Sequence, residues 1–284
     1  MNLTSPSQVK SWCIEHDFHP NKVLGQNFLI DQNALKAIVD AGLEGLSGGE
    51  GLKVLEVGPG LGVLTEELLK RDCRVTAIEK DPILSARLAQ EAETRSESEG
   101  WWKNLHLITG DALDLLAAQV QSSASNDYSC MISNLPYQAG TRILLELVKA
   151  RKLPQITVLV QTEVAERLAA KEGSKTRSLS GVWAQLDYEV EIIRKVSATC
   201  FWPRPAIGST VVRLKRHTRN VALSERERKI FHSLTKQAFE HRRKQLGSIF
   251  KDLIQSTARA EELSNEDWIK LSKGISNADT RRVS

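Results

Sequence analysis

The chain has 284 residues, 41% of them hydrophobic, and no uncharged apolar run approaches the ~18 residues of a membrane helix, so it reads as a globular protein with material for one large or two ordinary domains. The N-terminal stretch carries Glu15 and Asp17 and lacks an apolar core, so no secretory signal is expected. The cysteines, Cys13, Cys73, Cys130 and Cys200, form no C-x-x-C pair, which points to reduced thiols in a cytoplasmic protein with neither disulfides nor zinc. The charge is uneven: Phe201 to Ser284 holds 18 Lys+Arg against 9 Asp+Glu, a balance of +9, whereas the rest carries −5. A basic C-terminal third suggests a polyanionic partner, or else only a solvated helical surface.

Strand and helix signals alternate through the first 200 residues. Lys53 to Val57 predicts a first strand, followed by the glycine turn Gly58-Pro59-Gly60-Leu61-Gly62 and a helix from Leu61 to Lys70 with apolar residues at helical spacing. Cys73 to Ile78 is a second strand with Glu79 at its end, and Asp81-Pro82 opens a helix as N-cap and first-turn proline. Leu105 to Ile108 is a third strand ending at Gly110-Asp111, with a helix from Ala112 to Ala118. Cys130 to Ser133 is a fourth, with a helix from Ile143 to Ala150, and Ile156 to Val160 is a fifth. The runs Val190 to Val196 and Thr210 to Leu214 are expected to close the sheet with antiparallel strands. Glu91 to Asn104 and Gln119 to Asp127 read as loops. Beyond Asn220 helical spacing takes over: Leu223 to Glu240, Arg243 to Leu253 and a short helix from Asn265 to Leu271. Repeated βα units imply a parallel sheet with ligands at the strand C-termini, where Gly58, Glu79, Asp111 and Asn134 all fall.

The glycine turn is G-x-G-x-G rather than the dinucleotide fingerprint, because Val63 stands where the third glycine of that motif belongs. Alone it fits a tight strand–helix turn that binds nothing. With Glu79 placed to accept ribose hydroxyls, and Asp111 placed either to accept from a cofactor adenine or to cap a helix, it reads as a nucleoside-like cofactor site. Asn134-Leu135-Pro136-Tyr137 supplies an amide oxygen, a backbone carbonyl stiffened by Pro136 and an aromatic ring, a set that can grip an amino-bearing base. Asn134 and Leu135 would accept from an adenine amino group as its nitrogen becomes cationic, Tyr137 would stack on the base, and Phe201 is a candidate for the opposite face. This pairing of sites suggests methyl transfer to an adenine N6.

These residues resemble the ribosomal RNA adenine dimethyltransferases, the bacterial 16S rRNA adenine N6,N6-dimethyltransferases in particular. The likeness runs from about Lys22 into the C-terminal third. It includes Leu24-Gly25-Gln26-Asn27-Phe28-Leu29, Glu56 to Gly62, Glu79-Lys80-Asp81, Gly110-Asp111-Ala112 and Asn134 to Tyr137. It also includes Val160-Gln161 with Glu163-Val164-Ala165 and Arg167, Phe201-x-Pro203-x-Pro205-x-Ile207-x-Ser209, and Ala238-Phe239 with Arg242-Arg243-Lys244. The resemblance implies an α/β fold: a Rossmann-like S-adenosylmethionine-dependent methyltransferase domain over residues 1–216, and a small all-α RNA-binding domain over 217–284. Residues 1–50 are expected to be helical and to cover the cofactor. By the same resemblance Asn27 and Leu29 would cover S-adenosylmethionine, Gly58 and Gly60 would belong to its cradle with Gly58 on the methionine part, and Glu79 would hold its ribose. Asp111 would bind its adenine and Asn134 would border its methyl group. The substrate implied is a pair of adjacent adenosines in a 3′-terminal hairpin loop of 16S rRNA, within the 30S subunit or its precursor. Arg242, Arg243 and Lys244 would hold the rRNA by its phosphates. A monomer with no metal and no membrane contact is expected.

Two segments depart from the family pattern: Gln138 to Arg142 stands where the family usually has one residue and then Ile/Val-Ser/Thr-Thr-Pro, and no Tyr-Gly pair stands near Lys175-Thr176-Arg177-Ser178. Neither removes a proposed cofactor ligand. A 23S-directed adenine methyltransferase and a weakly catalytic ribosome-assembly factor remain alternatives; a nicotinamide dehydrogenase would leave Asn134 to Tyr137 without a purpose.

Overall fold

A computed structural model describes residues 2–21, 23–46, 51–121, 128–218, 223–251 and 253–283. Most of the Gln119 to Asp127 stretch read as a loop lies outside them, as does Lys22. In chain order, α1 (Pro6–Glu15), β1 (Phe28–Leu29) and α2 (Gln32–Leu43) precede β2 (Lys53–Val57), α3 (Val63–Lys70), β3 (Arg74–Glu79), α4 (Pro82–Arg95) and β4 (Leu105–Thr109). Then come α5 (Ala112–Gln121), β5 (Cys130–Asn134), α6 (Gly140–Ala150), β6 (Gln155–Gln161), α7 (Thr162–Ala169), α8 (Leu179–Asp187), β7 (Tyr188–Val196), β8 (Phe201–Trp202) and β9 (Ser209–Arg216). Helices α9 (Glu225–Glu240), α10 (Leu246–Phe250) and α11 (Asn265–Val283) follow.

Seven strands form one sheet in the order β4-β3-β2-β5-β6-β9-β7. The first five are parallel, and β9 runs antiparallel to β6, with Gln161 opposite Ser209. Six of the seven residues of β6 are buried, as a strand covered on both faces requires. Winding reverses between β2 and β5, which makes their C-terminal ends the switch point where an open parallel sheet leaves a crevice. The β2–β5 ladder pairs Val54 with Cys130 and Leu55 with Met131; beyond it the Ser133 hydroxyl accepts the Val57 N–H at 2.7 Å. Both motifs singled out in the sequence, the glycine turn and Asn134 to Tyr137, leave the sheet at this point.

Local chemistry sets several boundaries. Asp81 caps α4, its Oδ1 accepting the Ile83 and Leu84 N–H groups at 2.9 and 3.3 Å. Helix α3 starts at Val63 rather than Leu61 because Gly62, at φ 86°, cannot continue a right-handed helix. The Glu91 to Asn104 stretch is largely helical, since α4 runs to Arg95 and a 3-10 turn covers Gly100–Asn104. Some of its charges are ion-paired there: Arg95 bonds Glu66 and Glu99. Within residues 1–50 the described helices are α1 and α2, and an irregular stretch with the short strand β1 lies between them. Strand β1 pairs with β8, Phe28 opposite Trp202 and Leu29 opposite Phe201, a two-stranded ladder too short to show a sequence period.

The chain divides into two compact units, Met1–Ala165 with Glu191–Arg216, and Glu166–Val190 with His217–Ser284. Glu166–Val190, read from sequence as part of the first domain, thus groups with the C-terminal helices. The reason is visible in its bonds. Asp187 takes both guanidinium nitrogens of Arg228 at 2.7 and 2.8 Å, Trp183 donates to Thr235 at 3.0 Å, and Asn265 donates to the Val182 carbonyl at 2.8 Å. Val182 and Leu186 pack with Phe231, Leu234, Ala238, Leu246 and Trp268 in the core of this unit. The expected helix Arg243–Leu253 contracts to α10, and the short helix from Asn265 extends to Val283.

Candidate active site

The glycine turn leaves β2 with Gly58, Gly60 and Gly62 at φ 70°, 60° and 86°, a run of left-handed residues that a side chain would strain. Space is also closed at Gly62, where a Cβ would stand 2.7 Å from Leu88 Cδ1. Glu79, at the end of β3, fixes this turn: its Oε2 accepts the Gly60 N–H at 2.9 Å and its Oε1 accepts the Asp81 N–H at 2.8 Å. Burial raises the Glu79 carboxyl above the usual range, against the pull of those N–H donors. Glu56, inside β2 and 1% exposed, is pushed up to about 8, first by burial and then by the charge of Glu79, although the Thr65 hydroxyl donates to it at 2.7 Å. The sequence reading placed Glu56 in the motif but gave it no role; its signal was a carboxylate amid the apolar residues of a buried strand.

Asp111 follows β4. Its Oδ1 accepts the Leu113 N–H at 2.9 Å, which caps α5, and its Oδ2 pairs with Lys80 Nζ at 2.7 Å. Lys80, then the Leu113 N–H, hold this carboxyl below the usual range. Capping and ligand binding are therefore not exclusive: each oxygen has a second lone pair to offer. The Lys80 partner was not foreseen.

At the end of β5, Asn134 donates from Nδ2 to the Asn27 carbonyl at 3.2 Å, while its Oδ1 is buried and has no partner. Leu135 N–H bonds the Leu159 carbonyl at 3.1 Å, and the Pro136 carbonyl accepts the Gly140 N–H at 2.7 Å, so the motif is a rigid bridge from β5 to α6. Gly25 lies against this bridge, where a Cβ would meet the Tyr137 nitrogen at 3.1 Å. The Tyr137 hydroxyl bonds the Ser209 hydroxyl, and burial raises its pKa. Asn27, Leu29, Gly58, Gly60, Glu79, Asp111, Asn134, Leu135, Pro136 and Tyr137 all line one cavity, together with Glu56 and Lys80.

Phe201 is placed differently from the sequence expectation. It is 2% exposed, sits in the β1–β8 ladder and does not line that cavity. Its ring meets Tyr137 edge-on, with centroids 6.5 Å apart and planes at 67°, so the two rings do not form a parallel slot for a base. Phe201 is a wall that sets the Tyr137 ring. The basic run also divides. Arg242 donates to Glu261 at 2.9 Å and to the Lys175 carbonyl at 2.6 Å, whereas Arg243 and Lys244 are exposed on the turn after α9. Among the described residues no group of three or more His, Cys, Asp or Glu side chains could hold a metal ion, and no helix is long and apolar enough to cross a membrane.

A wound parallel sheet with an antiparallel β9, a glycine turn and an acidic residue ending the next strand define a Rossmann-like methyltransferase. Solved structures share this fold. A dimethyladenosine transferase from Plasmodium falciparum aligns with a TM-score of 0.68 over 85% of this chain and 94% of its own, at 22% identity. The 23S rRNA methyltransferase ErmE aligns with a TM-score of 0.63 over 87% and 98%, at 21% identity. The family model described as "Ribosomal RNA adenine dimethylase" matches residues 17–278, and the chain belongs to that family. A relative from Mycobacterium tuberculosis (strain ATCC 25177 / H37Ra), named Ribosomal RNA small subunit methyltransferase A, is 35% identical over 98% of this chain and 90% of its own. A relative of the same name from Deinococcus radiodurans is 42% identical over 75% of this chain and 67% of its own.

Proposed function

We propose that this protein transfers methyl groups from S-adenosylmethionine to the N6 amino groups of two adjacent adenosines in a 3′-terminal hairpin loop of 16S rRNA, giving N6,N6-dimethyladenosine during ribosome biogenesis. The observation that carries the reading is the buried Asn134 Oδ1, a hydrogen-bond acceptor with no partner, at the switch point of the sheet and on the cavity wall. A buried acceptor left open costs about 1–3 kcal/mol, which a ligand donor would recover.

The residues present fit the cofactor. The left-handed glycine turn keeps the backbone open to close approach, Glu79 keeps acceptor capacity beside it beyond its backbone N–H donors, and Asp111 has spare acceptor capacity at the next strand end. S-adenosylmethionine supplies an electrophilic methyl group on a sulfonium centre. Adenine N6 is a poor nucleophile because its lone pair is delocalised into the ring. As that nitrogen turns tetrahedral and cationic, Asn134 Oδ1 and the Leu135 carbonyl accept its amino protons more strongly than in the ground state, which lowers the barrier. No strong base is required, since the cationic product loses a proton to water. Tyr137 stacks on the base, its ring set by Phe201 and its hydroxyl by Ser209.

The small-subunit substrate is favoured over a 23S substrate by relatives of that name spanning nearly the whole chain. Arg243 and Lys244 are the exposed members of the basic run available to rRNA phosphates. The test is tritiated-methyl transfer to unmethylated 30S subunits and, in parallel, to 23S rRNA, with mapping of the modified bases. Two adjacent dimethyladenosines near the 3′ end are expected. Label on 23S rRNA instead, or binding to 30S subunits without label, would overturn the reading in favour of the two alternatives.

A further inference from the structure

Arg87 stands where three parts of the first unit meet. It lies on α4, its side chain 9% exposed. Its Nη1 donates to the Leu61 carbonyl, inside the glycine turn, at 2.7 Å, and its Nη2 pairs with Glu91 at 3.3 Å. Its guanidinium carbon lies 5.2 Å from the ring centroid of Trp12 on α1. From Trp12 an aromatic chain returns to the same turn: Trp12 to Phe18 at 5.6 Å, Phe18 to Phe28 at 6.3 Å, and Phe28 within 3.2 Å of where a Cβ on Gly60 would stand. Leu3, Val9, Cys13, Phe18 and Phe28 pack with Leu61 and Leu84 in one apolar cluster. The N-terminal segment is therefore fastened to the glycine turn from two sides, at Gly60 by Phe28 and at Leu61 by Arg87. Leu3, Gly25, Asn27 and Leu29 of this segment line the cavity, so its docking completes the cavity wall.

A cation this enclosed needs a reason. Glu91 is a neighbour on its own helix and would bond an exposed arginine equally well. The two contacts that require burial are those to the Leu61 carbonyl and the Trp12 face, and Nε is left buried without a partner to reach them. That arrangement costs stability at Nε and secures a joint between α1 and the turn.

We infer that Arg87 is a positioning residue for cofactor binding, coupling the docking of helix α1 through Trp12 to the shape of the Gly58–Gly62 turn through the Leu61 carbonyl. The inference rests on the reading of this cavity as an S-adenosylmethionine site. Without the guanidinium the turn loses the donor that holds Leu61 and the N-terminal wall loosens, whereas Leu135 and Tyr137 keep their bonds to Leu159 and Ser209.

The experiment is calorimetric titration of the full chain with S-adenosylmethionine, using wild type, Arg87→Leu, Trp12→Leu and the double variant. Arg177→Met serves as a comparison, because Arg177 is a second buried arginine, in the helical unit. Each single variant at the joint is expected to weaken binding about tenfold, and the double to be no weaker than the poorer single by more than about twofold, since both act through one contact. Without cofactor, trypsin should cut after Lys10 in α1 faster in Arg87→Leu than in wild type, while Arg177→Met lowers the melting temperature and leaves affinity unchanged. Arg87→Leu binding within twofold of wild type, or single effects that multiply in the double, overturns the inference. Wild type that fails to bind S-adenosylmethionine overturns the cofactor reading itself, and the inference with it.

Discussion

Asn134 gives its Nδ2–H to the Asn27 carbonyl at 3.2 Å, and this one bond determines what the other half of its amide can do. With the nitrogen engaged, Oδ1 is the free end, buried and without a partner. Two segments about a hundred residues apart thus build one acceptor. Asn134→Ala is expected to lower the single-turnover methylation rate about 10²-fold, the scale for losing one preorganised partner of a developing charge. Binding of the 30S subunit should stay within about twofold, because phosphate contacts carry most of that affinity. Rates within twofold of wild type would remove Asn134 from the chemistry.

Glu79 holds Gly60 and Asp81 by their N–H groups and is the proposed ribose acceptor. Glu79→Ala is expected to weaken S-adenosylmethionine binding by about 1–3 kcal/mol, and Glu79→Gln by less, because one acceptor oxygen survives. Calorimetry with both variants checks the order; equal affinities throughout would move the ribose elsewhere.

Glu56 makes stability depend on pH. Its carboxyl is pushed from an ordinary 4.5 to about 8, chiefly by burial. Between those values the folded chain holds a proton that the unfolded chain has released, so stability is full below about 4.5 and falls as pH rises through 8. The burial-raised carboxyl of Glu79 acts in the same direction. Thermal unfolding is expected to show a lower Tm at pH 8.5 than at pH 5.5. Glu56→Gln, which keeps an acceptor for Thr65, should flatten the slope, by an amount on the order of a few kcal/mol across the window. A slope unchanged in that variant would assign the effect to other groups.

Arg228 and Asp187 form a bidentate pair with side chains 9% and 12% exposed. Arg228→Met alone strands a buried carboxylate and should cost about 3–5 kcal/mol in urea unfolding. Adding Asp187→Leu should recover most of that loss, since neither charge is then left unpaired. A double variant no more stable than the single would show that the pair does more than satisfy itself.

The basic run offers a divided outcome. Replacing Arg243 and Lys244 by Ala should weaken 30S binding and reduce its salt slope by up to about one unit per lost phosphate contact. Arg242→Ala should instead lower stability and leave the slope nearly unchanged, because its guanidinium is spent on Glu261 and the Lys175 carbonyl. Equal slope changes in the two variants would return Arg242 to the RNA surface.

The sheet was legible because each parallel strand is a short apolar run followed by a helical period, and those periods are local. Lys53–Val57 is legible to the residue, and β5 and β6 to within one residue at each end, because side chains buried on both faces leave an uninterrupted hydrophobic signal. The glycine turn, Glu79, Asp111 and Asn134 were legible for the same reason, since each ends a strand and the strand ends of a wound sheet converge. What only the tertiary structure decided depends on pairs distant in sequence. The β1–β8 ladder sets Phe201 against Leu29 and turns its ring edge-on to Tyr137. Lys80 reaches Asp111, and Arg242 folds back on Glu261. Asp187 finds Arg228 and draws Glu166–Val190 toward the helices. A sequence states which side chains carry charge and which are apolar, and their spacing yields the local element. Which charge meets which is a matter of chain closure, and that is settled only when the whole core packs.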